Sequence, residues 1–484
     1  MSVCLLALLV AGVPQCLGGS PLETLQTKVS KCLKRPGIRS TKWGMEVIDT
    51  SNDEVLLSLN PDKPFTPASV TKVLTTAAAL EKLGPDFRFR TGVYTDGRLF
   101  PDGTLGGDLY LVGRGDPHLI TTPSDPLEKS PFQELAEKLF TLGIRHVQGQ
   151  IIGDDSYFDT ASDGSGWTSR ELKALYGAPI SALSVNNNVV FVNAWPRGLK
   201  QLVAVGLEPR SSYFRIRNVA VTGSRRSRRT ISARLISGTR TIVVSGVLPA
   251  GRSYSRHLLL DQPAAVAAGV LKDELQRAGI TVDGGVSAVH SHDLAQSRRE
   301  ELELLAEHQS LPLIHALETI NKDSQNLHAE MLLRTLGAEL GSAGTDEAGL
   351  QVVHRFLVEA GIESRQVSLS DGCGLSRENL LTPRFQTSLL RYLSTQPYFG
   401  LFLNTLAVSG TDGTLKHRMT AGQVKGVVYA KTGTLDGVST LSGYLTTASG
   451  RQLVFSIFAN NARASMKRIR RTIDEICALL VNFY

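Results

Sequence analysis

The chain has 484 residues, of which 42% are hydrophobic and 20% charged, with 45 glycines. That composition excludes a fibre or a disordered chain, and the length predicts two to four domains rather than one core. The net charge of +7 and the pI near 9.1 suit work among anionic polymers without choosing between nucleic acid, acidic lipid and glycan.

In chain order, residues 1–19 hold the apolar run 3–10, then Gly12, Pro14 and the small residues Gly18 and Gly19. This reads as a secretory signal peptide, although its first residues carry no Lys or Arg. No later segment reaches the ~18 apolar residues of a membrane span. Residues 21–33 have the pattern of an amphipathic helix, and strands at 43–48 and 54–59 flank the turn-prone Thr50-Ser51-Asn52-Asp53, a hairpin signal. Just after Pro67 an Ala-rich helix begins and runs to Leu83. From 87 to about 253 the texture changes to short β-like runs, at 89–94, 108–112, 147–152, 212–221 and 241–247, punctuated by glycine. They predict one or two inserted β-rich modules.

Helical periodicity returns at 262–278, 311–340 and 348–360, strands are predicted at 426–430, 441–446 and 452–458, and a basic amphipathic helix at 462–483 closes the chain. Helices on both sides of a late antiparallel sheet, with the early hairpin completing it, make an α/β (α+β) core interrupted by an insertion. The run Ser224-Arg225-Arg226-Ser227-Arg228-Arg229 has no interleaved aromatics and no nucleic-acid motif, so it reads as a solvated loop and no nucleic-acid partner is expected. Of five cysteines, Cys4 and Cys16 lie in the leader-like segment. The remaining Cys32, Cys373 and Cys477 are too sparse for a disulfide framework, and no pair has zinc spacing, so no metal site is expected.

Three short motifs carry chemistry. Ser69-Val70-Thr71-Lys72 puts a hydroxyl and an amine one helical turn apart on the same face, and a buried lysine of lowered pKa can take the serine proton. Ser324-Gln325-Asn326, in the segment read as helical, offers a proton relay and an amide for a peptide carbonyl. Lys431-Thr432-Gly433-Thr434, at the end of a strand, offers a cation and hydroxyls for a terminal carboxylate, a glycine that admits a close backbone, and a nearby N–H for an oxyanion. Each motif alone is weak. In this order, each on the element its chemistry needs, they form the set found in penicillin-binding proteins and class A β-lactamases.

With those motifs in hand, the sequence resembles the low-molecular-mass, class C type penicillin-binding proteins, the D-alanyl-D-alanine carboxypeptidase/endopeptidases with large inserted domains. Besides the motifs, the similar stretches include Gly107-Asp108-Leu109-Tyr110-Leu111-Val112-Gly113, Tyr176-Gly177-Ala178-Pro179, Ser370-Asp371-Gly372-Cys373-Gly374-Leu375-Ser376-Arg377 and Ser409-Gly410-Thr411-Asp412-Gly413-Thr414. About 250 residues separate Lys72 from Ser324, far more than in simple β-lactamases.

The resemblance implies a serine β-lactamase/transpeptidase-like core at 20–84 and 300–484, an inserted domain at 85–195 and 255–299, and a nested β-rich domain at 196–254. It implies that Ser69 attacks the carbonyl between two D-alanines with Lys72 as general base, that Ser324 passes the proton to the leaving amine, and that Asn326 orients the substrate. Lys431 and Thr432 would bind the terminal carboxylate, and the N–H groups of Ser69 and Thr434 would form the oxyanion hole, without a cofactor. Asp154, preferred to Asp155, and Arg377 would recognise the diamino acid of the stem peptide. Peptidoglycan stem peptides are the implied substrates, β-lactams the covalent inhibitors, and the periplasm or cell-wall space the implied location.

Gln325 stands where many relatives have Asp, Asp436 replaces an amide, and Cys373 replaces a common Ser and reads as a small buried residue. A β-lactamase or related serine esterase, and a catalytically silent wall-binding protein, are the alternatives. The basic closing helix, with Lys467, Arg468, Arg470 and Arg471 opposite Ile469, Ile473, Ile476 and Leu480, offers weak contact with a membrane surface, or an apolar face for the sheet.

Overall fold

The computed structural model describes residues 20–483 except 124, 126, 127, 162, 291–301 and 366. The leader-like segment 1–19 therefore lies outside the described residues. The early hairpin does complete the late sheet. Six strands run in the order Ala407–Val408, Val428–Leu435, Val438–Thr446, Gln452–Asn460, Lys42–Asp49 and Val55–Leu59, and every neighbouring pair is antiparallel. Strands that alternate between two apolar faces must be covered on both. On one side the helices Pro21–Leu33 and Met466–Val481 bury Leu25 and Val29 with Ile469, Ile473, Ile476 and Leu480 against Met45, Leu441 and Ile457. The apolar stripe of the closing helix is thus spent on the sheet, which removes the surface its membrane contact needed. On the other side Thr71–Leu83, Leu313–Lys322, Asn326–Leu340, Asp346–Glu359 and Pro383–Ser394 form a helical layer whose core includes Leu74, Leu317, Leu333, Phe356 and Phe458. Local chemistry sets the ends of these helices: Ser20 and Glu23 form a capping box beside Pro21, and Thr382 caps the helix that Pro383 starts.

The insertion between Arg90 and Gln309 has its own apolar cluster, from Val93 to Ala306. Its central sheet is mixed, in the order Val286–Val289, Ile151–Asp154, Leu109–Gly113, Arg90–Thr95 and Glu303–Gln309, with the two pairs made by Ile151–Asp154 parallel. Parallel pairs need crossovers, and the helices Pro131–Thr141 and Pro263–Arg277 supply covering elements. The first of these helices was not predicted; its start is marked by the Ser130 and Gln133 capping box.

Predicted runs split where glycine intervenes. Residues 147–152 divide at Gly149 into the ends of two strands in different sheets, and 241–247 break at Gly246, whose φ is +97°. The longest predicted helix, 311–340, is two helices, Leu313–Lys322 and Asn326–Leu340. The break falls at Ser324, whose φ of +61° no helix tolerates.

Among the described residues no helix is long and apolar enough to cross a membrane. Cys32, Cys373 and Cys477 are all free thiols in the interior.

Candidate active site

Ser69 sits in a short 3-10 turn, Ala68–Val70, that feeds directly into the helix Thr71–Leu83. The turn is tightly held: Ala68 has φ +50°, Thr440 Oγ1 donates to the Pro67 carbonyl at 2.8 Å, and Thr71 Oγ1 donates to the Ala68 carbonyl at 2.9 Å. Gly374, at φ +82°, lies against this turn so closely that a Cβ there would stand 1.9 Å from the Ala68 oxygen. A non-glycine residue in the left-handed region costs energy that the surroundings must supply.

From this turn the Ser69 hydroxyl lies 3.0 Å from Lys72 Nζ. Lys72 is fully buried and also donates to Asn326 Oδ1 at 2.6 Å and to the Cys373 carbonyl at 2.6 Å. The Asn326 amide is oriented by its own donation to the Tyr176 carbonyl at 2.9 Å, which leaves the oxygen for the lysine. Burial pushes the Lys72 pKa down, opposed by the nearby carboxyl groups of Asp371 and Glu330. A neutral amine has two N–H bonds and one lone pair. With both N–H bonds spent on carbonyl oxygens, the lone pair is left for the Ser69 proton.

Lys431, equally buried, donates to Ser324 Oγ at 2.8 Å and to the Thr432 carbonyl at 3.0 Å, while Thr432 Oγ1 donates to Thr414 Oγ1 at 2.9 Å. Burial first, and then the charge of Lys72, pull the Lys431 pKa well below its ordinary value. Gly433 passes the Ser69 turn where no side chain fits, since a Cβ would meet Thr440 Oγ1 at 2.1 Å and the Pro67 oxygen at 2.7 Å. The two lysine clusters share one cleft of about 570 Å³, lined by Ser69, Tyr176, Ser324, Asn326, Arg377 and Thr434 among others. A larger cavity of about 850 Å³, beyond Lys322 and Asp323, contains none of the motif side chains.

The structure therefore brings together Ser69, Lys72, Ser324, Asn326, Lys431, Thr432, Gly433 and Thr434, and places Arg377 on the cleft wall, where it donates to the Asp436 carbonyl at 2.9 Å. Asp154 is not brought there. It ends a buried strand, and its carboxylate accepts from Ser156 N at 2.9 Å and Ser156 Oγ at 2.5 Å, closing a turn. Asp155 is engaged elsewhere too, with Ser181 Oγ at 2.7 Å and His290 Nδ1 at 2.6 Å.

The cleft instead presents Thr168, Arg170, Glu171 and Asp436, which the motif reading had not assigned; Glu171 Oε2 accepts from Thr168 N and Oγ1. Glu330 was also missed. It lies one helical turn after Asn326 and accepts from Cys373 N at 2.7 Å and Gly372 N at 3.1 Å. The available signal was the polar series Asn326, Glu330 and Arg334 at four-residue spacing along one face of a helix rich in leucine.

Glu330, Asp371 and Cys373 are the one trio of metal-ligand types that converges among the described residues. Their atoms are already spent. Asp371 accepts from Gly374 N, Ser376 N and Asn379 Nδ2 at 2.6–2.7 Å and from Trp167 Nε1 at 3.0 Å, and burial pushes the Cys373 thiol up, so it stays protonated. The trio shapes a loop and is not built for a cation.

A family model described as the D-Ala-D-Ala carboxypeptidase 3 (S13) family matches residues 25–480. The chain belongs to that family. It is a serine D-Ala-D-Ala carboxypeptidase of the low-molecular-mass penicillin-binding type with inserted domains. It is 35% identical over 454 residues to the D-alanyl-D-alanine carboxypeptidase of Actinomadura sp. (strain R39), covering 91% of this chain and 82% of that one. It is 27% identical over 420 residues to D-alanyl-D-alanine carboxypeptidase DacB of Haemophilus influenzae, covering 85% and 83%. The crystal structure of penicillin binding protein 4 (DacB) from H. influenzae superposes with a TM-score of 0.76 at 24% identity, over 94% of this chain and 99% of that one, and has also been solved with a bound β-lactam.

Proposed function

We propose that this S13 carboxypeptidase acts on peptidoglycan stem peptides through an acyl-enzyme on Ser69, with each motif residue in the role its geometry suits. The observation that carries the reading is that the Ser69–Lys72–Asn326 contacts and the Ser324–Lys431 contact open into one cleft. Lys72 takes the Ser69 proton as the hydroxyl oxygen attacks the carbonyl between two D-alanines. Ser324, bonded to Lys431, delivers a proton to the departing amine, and Asn326 holds the substrate amide. Lys431, Thr432 and Thr434 receive the terminal carboxylate, and the backbone N–H groups of Ser69 and Thr434 stabilise the oxyanion. Water then releases the acyl group, and the same cleft cuts a cross-link whose leaving amine belongs to a second stem. Arg377 on the cleft wall is the basic partner for a substrate side chain; its acidic counterpart is sought in Glu171 or Asp436, which share the wall, and no longer in Asp154. A β-lactam ring places its carbonyl on Ser69 and its carboxylate on Lys431, which gives a covalent complex. Such a substrate lies outside the cytoplasm, so the protein is read as exported.

Muropeptide analysis by mass spectrometry after incubation with purified sacculi tests the reaction. Loss of terminal D-alanine, and of cross-linked dimers, is expected from the wild type and not from Ser69→Ala. Intact muropeptides with the wild-type protein would overturn the assignment. Rapid turnover of penicillin, in place of a persistent covalent adduct, would favour a β-lactamase.

A further inference from the structure

The charge of the chain is unevenly placed. Residues 196–259 carry thirteen Arg and Lys residues against one acid, Glu208, a net +12, while the rest of the chain has 39 basic and 44 acidic residues. All thirteen cations are exposed, and none makes an ion pair with a described residue. Such a surface repels itself, and its field attracts an anionic partner.

The cations crowd most at one end. The strand Val189–Trp195 runs into the loop 196–202, which is tied to the strand Val221–Gly223: Arg197 N donates to Thr222 Oγ1, Lys200 N to the Thr222 carbonyl and Thr222 N to the Gln201 carbonyl, at 2.8–2.9 Å. That strand leads straight into the Arg225–Arg229 turn, closed by Ser227 N on the Ser224 carbonyl at 3.0 Å. Arg197, Lys200, Arg225, Arg226, Arg228 and Arg229 therefore share one tip, and the run read from sequence as a solvated loop is part of a larger surface. The same tip exposes Trp195 at 49%, Leu199 at 63% and Leu202 at 52%.

A soluble phosphate polymer uses the cations but gains nothing from exposed Trp and Leu side chains. A lipid interface uses both, with guanidinium groups on headgroup phosphates and the amphipathic and apolar side chains at the acyl boundary. We propose that this tip seats the protein on an anionic phospholipid surface.

Co-sedimentation of the chain from Ser20 onward, which carries every described element, tests this with vesicles of phosphatidylglycerol and phosphatidylcholine, with phosphatidylcholine alone, and with long-chain polyphosphate as the soluble competitor. Binding to the anionic vesicles alone is expected. Replacing Arg225, Arg226, Arg228 and Arg229 together by Ser is expected to weaken it several-hundred-fold, at roughly 5-fold per cation. Replacing Trp195, Leu199 and Leu202 by Ser is expected to weaken vesicle binding at least ~10-fold and to leave polyphosphate binding unchanged. Both variants should still acylate Ser69 with fluorescent penicillin at the wild-type rate, which reports an intact fold. The proposal is overturned if the wild type ignores anionic vesicles or binds neutral ones as well. It is equally overturned if the apolar variant keeps full vesicle affinity, which would make the tip a site for soluble polyanions.

Discussion

Glu330 is fully buried, and both its carboxylate oxygens accept backbone N–H groups, from Gly372 and Cys373. The carbonyl of Cys373 takes an N–H from Lys72, so carboxylate and amine are separated by about one residue of backbone, on the order of 6–7 Å. At that distance and an effective dielectric near 20, a full charge is worth about 2–3 kcal/mol, or ~1.5–2 pH units on the lysine. Burial and the neighbouring Asp371 push the Glu330 carboxyl up to about 8, so only about a tenth of its charge is present at pH 7 and the full effect is felt only above about pH 8. The sign follows from the charge: an anion favours the ammonium form of Lys72, so Glu330→Gln lowers the Lys72 pKa and the neutral, proton-accepting amine appears at lower pH. Lys431 and Asp371 also face this region and are unchanged in the variant. The measurement is the second-order rate of Ser69 acylation by a β-lactam between about pH 5 and 10, where the acidic limb should move down, by up to ~1.5–2 units over the range in which Glu330 is ionised. Glu330→Asp keeps the charge but withdraws the oxygens from both N–H groups, so its limb should stay put while its rate falls. A folded Gln variant whose limb is unmoved, or moves upward, refutes the coupling.

Lys72→Ala should slow acylation by ~10²–10⁴-fold, read by stopped-flow with a β-lactam, since it removes the basic group hydrogen-bonded to the Ser69 hydroxyl. Gly374→Ala places a methyl 1.9 Å from the Ala68 oxygen at φ +82°, and should cost ~2–3 kcal/mol in chemical denaturation and depress acylation with it; a variant as stable as wild type would show the contact is slack. Arg334 is buried, donating from Nε to Asp346 at 2.6 Å and from Nη1 to the exposed Asp159 at 3.0 Å, so Arg334→Met leaves the half-buried Asp346 without its cation and should cost ~1–3 kcal/mol by calorimetry. Burial and His118 push the His328 pKa down to about 3, while the unfolded chain titrates near ~6.5, so its contribution to stability is present above ~6.5 and is lost as pH falls toward 3. Melting temperatures at neutral and acidic pH should converge more in His328→Gln than in wild type.

The sheet was legible because its strands are long apolar runs bounded by turn residues, and its flanking helices because their periodicity is strong. The insertion was read less well. Its strands are short and interrupted by glycine, and its parallel pairing rests on contacts remote in sequence, such as Val286–Val289 on Ile151–Asp154. The motif residues were found by type and order, yet their placement was partly misjudged. Ser324 reads as helical because apolar periodicity runs on both sides of it, although Asn321, Asp323 and Asn326 beside it are poor helix formers. Its positive φ is set by tertiary contacts, among them Lys431 Nζ on its hydroxyl. The Asp154 expectation met a related ambiguity: a carboxylate at a strand end can be a ligand group or a turn cap, and in the structure it accepts from Ser156 two residues later.

The breaks that hid the site also make its electrostatics. Two helices begin at the cleft, at Thr71 beside Ser69 and at Asn326 beside Ser324, and each contributes partial positive charge from its free N–H groups. Two buried lysines add to it, and the charge of Lys72 pulls the pKa of Lys431 down. Beneath them Glu330 and Asp371 are saturated by backbone and side-chain donors, so they moderate the field without cancelling it. A substrate that brings its own carboxylate to Lys431 holds that lysine as an ammonium, and the ammonium in turn disfavours a second charge on Lys72. On the proposed mechanism, binding sorts two similar amines into opposite states, one a charged anchor and the other a neutral base, and a ligand without the carboxylate is expected to forfeit part of the rate as well as part of the affinity.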